Sequence, residues 1–95
     1  MAGNQQFQLQ LEALQELYTR LQRIEDEAQM TMRRYSETIS ELHDKGLPRE
    51  VHDKMKEEFY MRSQNLTNQS SAIIKDQALP YVRYQMQGLE QLMGR

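Results

Sequence analysis

Apolar residues recur along the first half of the chain with the spacing of an amphipathic helix. From Phe7 to Leu42, alternate steps of four and three residues meet an apolar or aromatic side chain at every position except Glu25. These positions are Phe7, Leu11, Leu14, Tyr18, Leu21, Glu25, Ala28, Met32, Tyr35, Ile39 and Leu42. A heptad seam of this length is typical of a helix that packs on another helix. The pattern predicts a first helix over about residues 5–45, with one face that needs a helical partner.

A short turn follows at residues 46–48, Gly-Leu-Pro. Gly46 can take the left-handed conformation that ends many helices, and Lys45 puts a cation in the preceding turn. Pro48 suits the first position of a new helix. Because so short a connection leaves little room, we expect the second helix to run antiparallel to the first.

The second half has a weaker apolar pattern, which predicts a second helix over about residues 49–79. Its expected seam is Val51, Met55, Phe59, Leu66 and Ile73, with Arg62 and Ser70 in the same row. Between Ser63 and Ser71 the only large apolar residue is Leu66, and most of the others are poor helix formers. This segment needs a packing partner to become helical.

Pro80 is expected to kink or end the second helix near Leu79, because proline lacks the backbone N–H and its ring crowds the preceding turn. A C-terminal helical segment is predicted over about residues 80–93. Its apolar row is Val82, Met86, Leu89 and Met93. At about 1.5 Å per residue the two arms span roughly 60 and 68 Å, so they match in length.

These elements predict an all-α fold, an antiparallel two-helix hairpin with a Pro-kinked second helix, as one domain over residues 1–95. Several large apolar residues lie off the expected seams: Leu17, Ile24, Met30, Tyr60, Met61 and Ile74. We therefore expect a four-helix bundle completed by dimerisation, either with a second copy or with a larger helical protein. The expected partner interface comprises Phe7, Leu11, Leu14, Leu17, Tyr18, Leu21, Ile24, Met32, Tyr35, Phe59, Tyr60 and Met61.

Composition and charge narrow the range of functions. The formal net charge is −2, and neither half is basic enough to predict nucleic-acid binding or a polybasic membrane anchor. The absence of cysteine excludes a disulfide framework and a thiolate metal site. No window of eighteen apolar residues and no Sec-type signal peptide is present. We expect a cytoplasmic protein without membrane insertion, and any export would use a specialised route.

The chain offers few candidates for catalysis or metal binding. His43 and His52 flank the turn and each precedes an aspartate, but a zinc site needs three or four converging ligands. We interpret them as solvated turn residues. No phosphate-binding glycine loop, nucleophile motif or carboxylate pair can be recognised, so we predict no enzyme and no cofactor. Seven methionines add adaptable apolar surface of the kind found in binding grooves.

The layout resembles that of a known family. Just under a hundred residues, two long predicted helices, Gly46 in the central turn and Phe59 soon after it resemble the small helical-hairpin proteins of type VII secretion. This Trp-x-Gly (ESAT-type) family includes relatives without the tryptophan, and the present chain has none. The family's C-terminal Tyr with an acidic residue four positions later is absent, since Tyr81 precedes Gln85 and Tyr84 precedes Gly88. The resemblance implies a four-helix dimer that acts as a co-secreted factor or targeting chaperone.

Two functional hypotheses follow from the sequence. The first is a non-enzymatic interaction module, a small helical adaptor or chaperone or a co-secreted partner of a secretion system. The alternative is a structural coiled-coil subunit of a larger assembly. An adaptor should be stable alone or as a small dimer, whereas a structural subunit should polymerise or need its assembly to fold.

Overall fold

A computed structural model of the chain describes residues 2–94, with side chains from residue 5 to residue 94. Within these residues there is no strand. The long first helix is α1 (Ala2–Asp44). The second arm contains α2 (Arg49–Asp53), the π-helical segment π1 (Lys54–Tyr60), α3 (Met61–Ile73), π2 (Ile74–Ala78) and α4 (Leu79–Leu92). The prediction of an all-α chain, with two helical arms joined by a short turn, is confirmed.

The turn ends α1 with a Schellman motif. The Leu47 N–H donates to the Leu42 carbonyl at 2.9 Å, and the Gly46 N–H donates to the His43 carbonyl at 3.2 Å. Gly46 has a φ of +106°, which a residue with a Cβ rarely adopts. Pro48 lies just outside the second arm, with a ψ of 139°, and the first helical residue is Arg49.

The second arm does not end at Pro80. Ala78 and Leu79 keep right-handed helical dihedrals, and Pro80 falls in the first turn of α4. The segment π2 comes directly before it. A π turn is wider than an α turn, and this gives the proline ring room beside the preceding carbonyls. The helical elements of the arm therefore follow one another without a break from Arg49 to Leu92, where the sequence predicted a kink or an end near Leu79.

The chain divides into two compact units. The first combines the chain up to Ile24 with the chain from Ala72 onward. Its buried apolar residues are Leu11 on α1 and Val82 on α4. The side chains of Tyr18 and Arg83 meet there through a hydrogen bond from the guanidinium to the phenolic oxygen. The predicted row along α4 is confirmed, since Met86, Leu89 and Met93 are half-buried beside the buried Val82.

The second unit, from Glu25 to Ser71, contains the turn and is an antiparallel helical hairpin. Residue numbers rise on α1 as they fall on the second arm: Glu25 meets Ser71, Tyr35 meets Tyr60, and His43 meets His52. Met32 and Ile39 are the buried apolar residues of this unit.

The predicted seam of α1 is confirmed. Leu11, Glu25, Met32 and Ile39, which share one heptad position, are buried. The residues of the other heptad position on the seam are half-buried up to Tyr35. The seam ends in an exposed Leu42 near the turn.

The predicted seam of the second arm is wrong. Most of its apolar members are exposed: Val51 by 39%, Phe59 by 37%, Leu66 by 66% and Ile73 by 54%. The side chains that are half-buried or buried instead are Tyr60, Ser63, Thr67, Ser71 and Ile74, although Tyr60 and Ile74 were expected off the seam. The cause is π1, because its extra residue per turn moves the packed face from Met55 to Tyr60 in a step of five.

Among the described helices, none has a stretch apolar and long enough to cross a bilayer.

Candidate protein-interaction surface

Many large apolar side chains lie at the surface. Among residues 5–94, four apolar residues are buried, whereas thirteen large hydrophobic residues are exposed. The exposed set is Leu9, Leu17, Ile24, Met30, Leu42, Val51, Phe59, Met61, Leu66, Ile73, Tyr81, Tyr84 and Leu92. Single exposed apolar residues are ordinary, but contiguous ones mark interaction surfaces.

The structure separates the predicted interface residues into three groups. Leu11 and Met32 lie in the chain's own core. Phe7, Leu14, Tyr18, Leu21, Tyr35 and Tyr60 are half-buried. Leu17, Ile24, Phe59 and Met61 are exposed and accessible to a partner.

An apolar groove lies beside the turn in the second unit, and we call it the turn groove. It is lined by Thr31, Arg34, Tyr35, Thr38, Ile39 and Leu42 of α1, together with Leu47, Val51 and Met55. Its volume is about 570 Å³. Of its lining, sequence analysis assigned only Tyr35 to the partner interface. One feature of the sequence could have indicated this groove. The α1 seam ends at Leu42, and the apolar residues Leu47 and Val51 follow directly across the turn.

Tyr35 joins α1 to the second arm beside the turn groove through two contacts. Its hydroxyl donates to the Met55 Sδ at 3.8 Å, and its ring lies 5.6 Å from that of Tyr60, centroid to centroid. The second contact is a tilted aromatic pair of the kind that stabilises packed helices. The Schellman motif holds Leu47 at the turn end of the groove. These contacts fix one wall of the groove relative to the other.

Arg34 is the one charged residue in the lining of the turn groove. Within residues 5–94 it makes no ion pair or side-chain hydrogen bond, unlike the cations near the turn. Lys45 pairs with Glu41 at 3.1 Å, and Arg49 with Asp53 at 3.9 Å. The groove thus combines apolar walls with one guanidinium that has no carboxylate of its own.

A second groove, the terminal groove, lies in the first unit. It is lined by Gln10, Ala13, Leu14 and Leu17 of α1 and by Tyr81, Gln85 and Leu89 of α4, with a volume of about 460 Å³. Two glutamine amides and no charged residue lie among its walls. The terminal groove therefore offers hydrogen-bonding groups to a partner but no charge.

Glu25 and Ser71 form a polar contact inside the second unit. They are only 6% and 7% exposed, and the Ser71 Oγ donates to the Glu25 Oε1 at 2.5 Å. A carboxylate in such a place needs hydrogen-bond donors, because burial removes its water. Glu25 is the exception in the apolar seam of the sequence, but no local pattern identifies its donor.

His43 and His52 meet at the turn, with ring centroids 4.5 Å apart. Each Nδ1 lies near the aspartate that follows, at 3.6 Å from Asp44 and 3.1 Å from Asp53. Among the described residues, no group of three or more His, Cys, Asp or Glu side chains is arranged to hold a metal ion. In comparisons with known proteins, no family model, no curated protein and no solved structure matches this chain.

Proposed function

We propose that this chain is a non-enzymatic protein-interaction module, a small helical adaptor or chaperone that completes its helix packing with a partner protein. The turn groove supports this proposal most directly. It is an open apolar channel between two antiparallel helices, bordered by the exposed side chains of Leu42 and Val51. A third helix laid along such a channel extends the packing by the rules of helical bundles.

Partner binding would add to the stability of the chain. Fully burying one Leu, Val or Met side chain contributes about 1.5–3 kcal/mol. A domain of this size has only a few kcal/mol of net stability. Covering the groove, where Leu42, Val51 and Met55 are still partly or largely accessible, would add a comparable amount. Ligand binding to the folded state raises its apparent stability in the same way.

The partner would supply helices of its own, giving a four-helix bundle between two proteins. The proposed biological context is that of a targeting chaperone or co-secreted factor of a secretion system. This part of the proposal is supported by the layout shared with the type VII helical-hairpin family, Gly46 in the turn and Phe59 after it.

The test is groove-dependent association. The tagged full chain is co-expressed with the products of neighbouring genes, and complexes are isolated and weighed by light scattering. We expect the Leu42→Gln/Val51→Gln variant to lose the complex. Leu9→Gln is the matched control, because Leu9 is 67% exposed and lies in neither groove.

Retention of the same complex by both variants would contradict the proposal, as would a chain that forms no complex at all. Polymers of the chain alone would favour the structural coiled-coil subunit instead.

A further inference from the structure

We propose that the occupant of the turn groove is an acidic amphipathic helix of about three turns, provided by a partner protein. This inference rests on the proposed function, because it names the chemistry of the partner. Three features of the groove carry it: its length, the nature of its walls and the charge of Arg34.

The length of the groove sets the length of the occupant. Along α1 the lining extends from Thr31 to Leu42, which at 1.5 Å per residue is about 17 Å, or three helical turns. The opposite wall runs from Leu47 to Met55. An amphipathic helix with apolar residues at i, i+3 or i+4, and i+7 fits a groove of this kind.

The walls favour a helix over an extended peptide. Both walls are helices for most of their length, so most of their backbone N–H and C=O groups are already paired within each helix. An extended segment would bring unpaired backbone groups into an apolar groove with no sheet edge to receive them. A helical segment pairs its own backbone and presents only side chains.

The sign of the charge follows from Arg34. Its guanidinium lines the groove beside apolar residues and, within residues 5–94, has no carboxylate partner. Thr31 and Thr38 lie on the same wall. Their hydroxyls can donate or accept a hydrogen bond, so they do not distinguish an acidic occupant from a basic one. A carboxylate on the occupant would form a charge-assisted pair with Arg34, whereas a lysine there would place two cations together.

The experiment uses the full chain, labelled with ¹⁵N, and three synthetic 14-residue peptides constrained as helices. The peptides share one leucine stripe and differ only in carrying Glu, Gln or Lys beside it. NMR shift changes detect even weak binding and locate it. We expect shifts concentrated in residues 31–42 and 47–55, with the Glu peptide binding about three- to tenfold more tightly than the Lys peptide.

Charge reversal at Arg34 provides the decisive comparison. Arg34→Glu should reverse the order of affinity, so that the Lys peptide binds more tightly than the Glu peptide. Arg33→Glu is the matched control and should keep the wild-type order, because Arg33 lines a separate polar pocket with Gln29 and Tyr60. Circular dichroism would establish that both variants keep their helical content.

Equal affinities for the three peptides, shifts away from the turn groove, or an unchanged order in Arg34→Glu would each overturn the inference. So would shifts of the same residues on raising the concentration of the chain alone, because the occupant would then be a second copy. A partner complex that is lost in Leu42→Gln/Val51→Gln but is indifferent to Arg34→Glu would leave the proposed function standing and remove only this inference.

Discussion

At the scale of single residues, Glu25 and Ser71 decide how the helices of the second unit meet. Their side chains occupy the interior, where apolar residues would otherwise pack, and the Ser71 hydroxyl donates to the Glu25 carboxylate. A polar residue in a helical seam lowers stability relative to an apolar one but fixes which residues face each other. The contact therefore favours one pairing of α1 with α3.

Ser71→Ala should destabilise the protein by about 1–3 kcal/mol, because it removes one hydrogen-bond donor from a buried carboxylate. The matched control is Ser70→Ala, at an exposed neighbouring position, which should change stability by less than about 0.5 kcal/mol. Urea unfolding followed by circular dichroism measures both. Similar losses for the two variants would mean that the hydroxyl of Ser71 contributes nothing specific.

The glycines offer a second pair of matched substitutions. Gly46 has a φ of +106°, whereas Gly88 lies within α4, and a Cβ at either position would meet no atom within 4 Å. Only the backbone conformation therefore distinguishes them. Gly46→Ala should destabilise by about 1 kcal/mol, and Gly88→Ala should stabilise by about 0.5–1 kcal/mol. Thermal unfolding would show this, and a change of the same sign in both would be inconsistent with the conformation of the turn.

At the scale of elements, π1 and π2 determine which face of the second arm packs. A π turn holds one more residue than an α turn, so side chains after it rotate relative to the heptad frame before it. After π1, the packed positions are polar or small residues such as Ser63 and Thr67. The large Leu66 is left exposed.

Leu66 provides a direct test of this rotation. Leu66→Ala should change the free energy of unfolding by less than about 1 kcal/mol, because the side chain is 66% exposed and alanine favours the helix. The same substitution at the buried Leu11 should cost about 2–4 kcal/mol. Chemical denaturation compares the two. A loss at Leu66 as large as that at Leu11 would mean that Leu66 belongs to the packed seam.

At the scale of the whole molecule, the 95 residues form two compact units, each of them small. Units of this size bury too little apolar surface for high stability on their own. Thirteen of the large apolar side chains among residues 5–94 remain exposed. We therefore expect the isolated chain to be only marginally stable.

We expect the purified chain alone to be helical and to have the mass of one 11.4 kDa chain at low micromolar concentration. Its free energy of unfolding should be below about 5 kcal/mol. Light scattering over a concentration series, with circular dichroism and urea unfolding, measures mass, helicity and stability. A dimer that persists at low micromolar concentration would mean that a second copy, and not a different protein, covers the exposed residues.

The sequence by itself determined the helical class, the position of the turn and the packed face of α1. These follow from local rules: the heptad spacing through Leu11, Met32 and Ile39, and the backbone freedom of Gly46 before Pro48. Only the tertiary structure decided the face of the second arm, the continuity through Pro80 and the pairing of Glu25 with Ser71. A heptad pattern assumes a constant number of residues per turn, and no local signal shows where a helix widens to fit its neighbour. For the same reason the turn groove, which depends on how Tyr35, Val51 and Met55 meet across two helices, became visible only in three dimensions.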